Sequence, residues 1–428
     1  KEAPTKYYNI ILTAIIATSG LFTICLFLFS DPIMAQLGYE NKGIFLKWLA
    51  VILAIDAITA IPFAKLRLEN KIRTFVQAKI VSILINVGLN LIILLVLKPM
   101  HEQGTGPEFL KNVYRPEVGA GYIFLANLIG NASLFYWLKA EFKVFKWTWD
   151  WPELRSLWVY AYPIMFMSLA AMFNLMFDRL LLEEFLPESF YPGRSSQDAL
   201  GIYGNCYKLS VFMSLAIQAF KYSAEPFFLG KKAEANDQSN LALVTHWFII
   251  VCTFLWVGVS VNLFWIKTLF LRREIYWEGI GIVPILLLAN LFLGVYYTQS
   301  VWFKKTNKTY MGTIITLIGL VTTVAGNIIF IPQYGYMACA WSFLASSLVM
   351  MILCYLGGQK FDPIPYRWKA GLFYIVLGYL CIVIGNKIQD YIDLPNIIRE
   401  NIGVFILLLF VVVFEFSWKG GGKFKLKH

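Results

Sequence analysis

The 428-residue chain is 58% hydrophobic and only 15% charged, with a mean hydropathy of +0.63. A water-soluble domain carries roughly 25% charged residues, so the composition excludes that class. Apolar runs of about 20 residues, enough to cross a ~30 Å hydrocarbon core, recur throughout, where a β-barrel would show alternating segments of about 10. The net charge of +11 fits basic loops beside anionic lipid, so no nucleic-acid partner is expected.

Hydropathy predicts twelve helical spans, at 9–29, 44–64, 75–97, 118–138, 157–177, 200–220, 241–266, 279–301, 310–331, 336–357, 370–387 and 401–417. Lys and Arg fall in the odd connections over the even ones by about two to one, which places both termini in the cytoplasm. The 267–278 connection, with Lys267, Arg272 and Arg273, runs against that bias. Segment 139–156 (KAEFKVFKWTWDWPELRS) mixes Lys with Phe and Trp and reads as an amphipathic helix lying along the headgroups.

An internal repeat organises these spans. NKIRTFVQAKIVSILINVGLNLII, from Asn70, matches NKTYMGTIITLIGLVTTVAGNIIF, from Asn307, so that Asn90 corresponds to Asn327. Further on, Phe124-Leu125-Ala126 matches Phe343-Leu344-Ala345, and Tyr136 matches Tyr355. The offset shortens between the two matches because loop 98–117 is longer than its counterpart, IPQYG. Spans two to four thus repeat as spans eight to ten, which defines a six-helix unit. The second unit is spans five to ten, the first has only four spans, and spans eleven and twelve are additional. Restoring two helices gives fourteen, and because Lys1 is not an initiator Met, the sequence is expected to begin inside a longer protein. The expected domains are an N-terminal lobe at 1–138, the linker at 139–156, a C-terminal lobe at 157–357, and two extra helices with a basic tail at 370–428. Duplicated helix bundles with a substrate path between them are a common transporter plan.

Ionisable residues inside spans are costly, and usually face the bundle interior or water. Lys47 and Asp56 lie in the second span and Lys79 in the third; Asp178 and Arg179 cap the fifth, and Lys208 lies in the outer third of the sixth. Arg179 and Lys208, at similar depth on consecutive helices, are candidates for binding a phosphate-bearing group, since Arg offers a planar fork to phosphate oxygens. Lys47 is a further cavity candidate, and Lys79 reads as a snorkelling interfacial residue. Asp56 could pair with Lys47 or bind a coupling Na⁺ or H⁺, and Asp178 is a second coupling candidate. Asn127, Asn131 and Asn174 are candidate cavity walls, whereas Asn90 and Asn327, being repeated, read as interhelical ties. Pro62, Pro163, Pro226 and Pro284 are candidate kinks. The six cysteines, without a CxxC pair, read as small buried hydrophobes. His101, His246 and His428 are scattered, no nucleotide-binding or hydrolase motif occurs, and loop 98–117 holds no clustered catalytic set, so neither an enzyme nor a cofactor is expected.

Two six-helix bundles plus two helices resemble the multidrug/oligosaccharidyl-lipid/polysaccharide exporter superfamily, which implies an all-α, MATE-like fold. WEGIGIVPILLLANLFLGVYYTQSVWFKKTNKTYMG, IPQYGYMACAWSFLASSLVMMILCYLGGQ and IYGNCYKLSVFMSLAIQAFKYSAEPFFL resemble bacterial Wzx-type oligosaccharide flippases. That resemblance implies a monomer in the bacterial inner membrane. It would move an undecaprenyl-pyrophosphate-linked oligosaccharide to the outer leaflet by alternating access, for cell-surface polysaccharide. The alternative is a cation-coupled multidrug or lipid II exporter of the same fold.

Overall fold

A computed structural model describes residues 2–36, 42–69, 71–104, 114–188, 190–223, 237–388 and 396–417. Among them nine helices are long and apolar enough to cross a membrane, and the chain is a multi-pass, all-helical membrane protein. It divides into two compact units, Lys1–Trp158 and Val159–His428.

In the first unit, α1 (Glu2–Leu28) leads through the short α2 (Ser30–Gln36) to α3 (Gly43–Leu68), against which α1 packs. α4 (Ile72–Leu91) continues through a π turn at Ile92–Leu97 into Lys98–Glu102. α5 (Gly121–Ala132) packs on both α3 and α4 and is followed by the single turns α6 (Leu134–Trp137) and α7 (Lys139–Lys143). Gly130 allows the α4–α5 approach: a Cβ there would lie 2.9 Å from the backbone oxygen of Ser82. One small core unites Phe63 and Leu66 with Ala78, Leu134 and Leu138, and another gathers Ile93, Leu97, Tyr114 and Tyr122.

The long α8 (Trp151–Phe185) begins in the first unit and enters the second. It is followed by α9 (Ser196–Lys208), α10 (Val211–Ser223), α11 (Asp237–Val261) and α12 (Leu263–Phe270). A 3₁₀ segment (Glu274–Ile282) then leads to α13 (Val283–Gln299) and α14 (Val301–Lys305). α15 (Thr309–Tyr334), α16 (Tyr336–Phe361), α17 (Trp368–Ile388) and α18 (Asn396–Val411) complete the bundle, with a π turn at Val412–Ser417. The 274–305 stretch is the axis of this unit, because 67% of its most apolar window is buried. Leu286, Leu287, Trp302, Phe303 and Cys354 lie in its one large core.

Several expectations change. The fourth, sixth and seventh spans are broken helices, interrupted at Ser133, at Leu209–Ser210 and at Asn262. The surface helix expected over 139–156 is five residues of helix, then an irregular stretch at 145–150 sewn to α1, then the start of α8 at Trp151. The Lys146 amide donates to Asn9 Oδ1 (3.2 Å) and the Thr148 amide to Thr13 Oγ1 (3.1 Å), and Lys6 pairs with Asp150 (3.0 Å). Satisfying its amides on α1 leaves that stretch no reason to coil. Pro62 and Pro163 lie inside helices, but Pro284 starts α13, where its missing N–H costs nothing, so it makes no kink; Pro226 lies outside the described residues. Five cysteines are buried, whereas Cys25 is exposed.

The repeated residues do not share one job. Asn90 bonds back to Asn86 on its own helix (2.9 Å), and Asn327 is completely buried with neither side-chain atom partnered among the described residues, so neither makes the expected interhelical tie. Asn307 has φ +57°, a left-handed turn that Asn tolerates, just ahead of α15; Asn70 lies outside the described residues.

Candidate functional site

The first unit holds a buried charge cluster that sequence reading missed. The Glu141 carboxylate, its side chain 5% exposed, accepts from Lys65 Nζ at 2.6 Å and Lys71 Nζ at 3.0 Å. Lys71 also meets Glu69 at 2.7 Å, Tyr8 OH donates to the Glu141 carbonyl at 3.1 Å, and Lys65 Nζ lies 4.7 Å from the Tyr8 ring centroid. Burial opposes ionisation of Glu141, but hydrogen bonds from the two lysines prevail and hold its carboxyl below the usual value. The cluster ties α1, α3, the start of α4 and α7 at one end of this unit. In a sequence it hides well: one acid in a basic, aromatic stretch, with partners that read as loop charges.

Asp56 is exposed on α3 and accepts from Asn131 Nδ2 on α5 at 2.9 Å. Among the described residues it has no ion pair with Lys47. The nine residues between them are two and a half turns, so the side chains leave opposite faces about 13.5 Å apart along the axis. Lys47 is half-buried, Lys79 sits 4.6 Å from the Phe63 ring centroid, and Asn127 lies one turn before Asn131, half-buried.

In the second unit a buried polar seam runs down α8. Asn174, 3% exposed, donates to Ser346 Oγ at 3.1 Å and accepts from Thr323 Oγ1, and Ser346 also donates to the Gly319 carbonyl at 2.7 Å. Asn174 therefore joins α8 to α15 and α16 as a tie, and does not line a cavity wall as expected. One turn on, Asp178, 2% exposed, accepts from Tyr203 OH and from the Arg179 amide (2.8 Å). Consecutive helical residues do not face each other, and the Arg179 guanidinium turns away to lie 4.8 Å from the Tyr207 ring centroid. Lys208, adjacent to Tyr207, is exposed, and its Nζ donates to Asn205 Oδ1 at 3.2 Å. The Arg179 guanidinium thus meets α9 at Tyr207, whereas Lys208 is engaged with Asn205 of its own helix. α9 itself starts with a capping box in which Ser195 and Asp198 satisfy each other's backbone, and the Ser195 amide holds the Asp198 carboxyl below its usual value.

A cavity of about 440 Å³ opens farther along the same helices. α8 supplies Ser168 and flanking apolar side chains, α10 supplies Lys221, and α14 supplies Lys304. Tyr296 and Tyr297 of α13, Ser300 just after it and Thr316 of α15 complete its polar wall. Lys221 Nζ lies 3.4 Å from the Tyr297 ring centroid, and Tyr296 OH and Thr316 Oγ1 share a hydrogen bond at 3.1 Å. Two half-buried ammonium groups beside hydroxyls and aromatic faces suit an anionic group attached to a hydroxyl-rich ring system, since desolvated cations favour phosphate and aromatic faces stack on sugar rings. Both lysines lie just past the ends of predicted spans and read in sequence as ordinary basic loop residues. Only the fold brings them together. Among the described residues no three metal-ligating side chains gather.

No protein-family model and no curated protein sequence matches the chain. Solved structures do. A lipid II flippase, MurJ, in an inward closed conformation superposes with a TM-score of 0.67 at 16% identity, over 95% of this chain and 84% of that one. A MATE in the bent conformation gives 0.63 at 14% identity, over 88% and 81%. An outward-facing multidrug resistance MATE family transporter of the MOP superfamily gives 0.62 at 14% identity, over 82% and 76%. The chain therefore has the fold these transporters share.

Proposed function

We propose that the protein is a flippase for a polyprenyl-pyrophosphate-linked glycan, working by alternating access in the bacterial inner membrane for cell-surface polysaccharide. The observation that carries this reading is the Lys221/Lys304 cavity, cationic, hydroxylated and aromatic, in a chain with the fold of a lipid II flippase and of MATE transporters. The excess of Lys and Arg in the odd connections supports a cytoplasmic position for both termini, and that puts the cavity at the cytoplasmic end. The two lysines take the pyrophosphate as it enters, and Tyr297 with the hydroxyls takes the first sugars. Arg179 and Lys208 receive the pyrophosphate nearer the outer leaflet. Thirteen residues separate Lys208 from Lys221, about 20 Å along a helix path, which is most of a bilayer core. Asp56 and Asp178 are our candidates for a coupling Na⁺ or proton.

Two cations in the cavity repel a cationic drug, which disfavours multidrug export. Lipid II export shares the pyrophosphate chemistry and differs in the head group beyond it. The test is complementation of a strain lacking its own flippase. Lys221→Gln and Lys304→Gln each lower surface glycan severalfold while the protein still inserts, and Arg179→Ala and Lys208→Ala do so too. Normal glycan in the Lys221→Gln/Lys304→Gln double variant overturns the reading.

A further inference from the structure

A second cavity, of about 620 Å³, lies in the second unit on the other side of α13, and the proposed transport route does not use it. Its walls come from α11, α13, α16 and α17, and are mostly apolar: Phe292, Leu348, Met351 and Ile375 are typical. Three features give it a character of its own.

The first is where it opens. Ile352, Leu372 and Trp368 line it and are 44%, 55% and 56% exposed, on surface that in a membrane faces acyl chains. An apolar slot with an apolar rim fills from the bilayer, not from water. The second is the charge at its rim. Arg367 lines the cavity and is exposed, next to Trp368 at the start of α17, with Lys369 and Lys360 nearby in the chain. The one acid of the 358–369 segment, Asp362, is engaged by Gln238 Nε2 at 2.5 Å, and among the described residues Arg367 has no ion pair. The third is a set of unsatisfied polar atoms. Thr245 Oγ1, His246 Nδ1, Gln299 Oε1 and Tyr366 OH are buried without a partner among the described residues, all on side chains that line this cavity. Thr245, His246 and Gln299 are 3%, 2% and 6% exposed, and His246 Nε2 is already committed to Glu415 at 2.9 Å. Buried polar atoms are nearly always paired, so four around one cavity point to a ligand that carries polar groups as well as an apolar body.

We propose that this cavity binds one anionic phospholipid. Its phosphate lies against Arg367 and Trp368, its ester and hydroxyl groups face Tyr366 and Thr245, and one acyl chain runs between α11, α13, α16 and α17. Basic pockets between membrane helices bind anionic headgroups in this manner, and interfacial Trp marks the headgroup level. The lipid completes a helix interface. Gly378 and Gly385 pack α17 closely on Thr253, Val257 and Val261 of α11, and one heptad toward the α17 N-terminus Gly371 packs on Ile249 of α11, where both residues border the slot.

The experiment is native mass spectrometry of the purified full chain after detergent exchange, titrated with phosphatidylglycerol or phosphatidylcholine. It reads binding and does not depend on transport. Wild type holds one phosphatidylglycerol at least fivefold more strongly than phosphatidylcholine, and a large excess of inorganic phosphate does not displace it. Arg367→Gln, at an exposed position, and Leu348→Trp, which fills the slot, each lower occupancy at least fivefold, while Leu94→Trp on the exposed face of the first unit leaves it unchanged. Equal retention of the two lipids, wild-type occupancy in both Arg367→Gln and Leu348→Trp, or displacement by inorganic phosphate overturns the proposal. So does a polyprenyl phosphate that displaces the phospholipid with the same dependence on Leu348, because the slot would then belong to the substrate tail.

Discussion

Replacing Glu141 by Gln keeps the shape of a buried side chain and removes its charge. Lys65 Nζ sits 2.6 Å from one carboxylate oxygen and Lys71 Nζ 3.0 Å from the other. The two losses are unequal. Lys71 is half-exposed and keeps Glu69 at 2.7 Å, so it loses little, whereas the Lys65 side chain is 18% exposed and keeps only Glu69 at 3.9 Å. A hydrogen bond between charged partners contributes about 1.5–3 kcal/mol, and stripping one partner from a buried pair costs about 3–5 kcal/mol. The Gln amide still offers Lys65 a neutral acceptor, which puts Glu141→Gln at about 2 kcal/mol and Glu141→Ala at about 3–4 kcal/mol. The measurement is reversible unfolding in mixed micelles for the two variants, for Lys65→Met, and for the double variant Glu141→Gln/Lys65→Met. The cycle should return a coupling of about 1–2 kcal/mol between Glu141 and Lys65. Additive losses, or a Glu141→Gln protein within about 0.5 kcal/mol of wild type, would refute the idea that this carboxylate holds α3, the start of α4 and α7 together.

The same cluster carries a pH signature. The folded Glu141 carboxyl lies below its ordinary value, so its contribution is full above that ordinary value and is lost as pH falls through the lowered one. Wild type should therefore lose stability on acidification more steeply than Glu141→Gln, as acid-melting curves of the two would show. Asn174→Ala removes the acceptor for Thr323 and a partner of Ser346, which retains the Gly319 carbonyl, so a loss of about 2–3 kcal/mol in the same unfolding assay is expected. Gly403→Ala places a Cβ 2.6 Å from the Cys381 carbonyl oxygen, and backbone cannot rotate away. α17 and α18 should separate at a cost of about 1–3 kcal/mol, visible as faster hydrogen exchange in α18.

Hydropathy carried the helical plan far, because burying backbone in hydrocarbon forces helix and a run of apolar residues records that directly. It did not record the breaks at Ser133 and Leu209–Ser210, since a turn of one or two residues barely changes a windowed average. The Asn-Lys repeat pointed to helices of equivalent position, yet Asn90 and Asn327 ended in different surroundings, because each side chain answers to its own neighbours. Site residues were legible where one residue was unusual in itself. Arg179 and Lys208 stood out inside spans, and the fold engages the first with the Tyr207 ring and the second with Asn205. Lys221 and Lys304 did not, because a lysine at the end of a span is commonplace and only the packing of α10, α13 and α14 aims both into one cavity.

Direct translocation tests the central claim best. Purified protein in proteoliposomes would be given a fluorescent polyprenyl-pyrophosphate-linked oligosaccharide in one leaflet, and its arrival in the other followed by quenching. Wild type should move it well above the rate in protein-free vesicles, and Lys221→Gln/Lys304→Gln should fall severalfold toward that background while a polyprenyl chain without pyrophosphate is not moved. Transport by the double variant at the wild-type rate, or equal transport of the uncharged lipid, would contradict a flippase that grips its substrate by the pyrophosphate in the Lys221/Lys304 cavity.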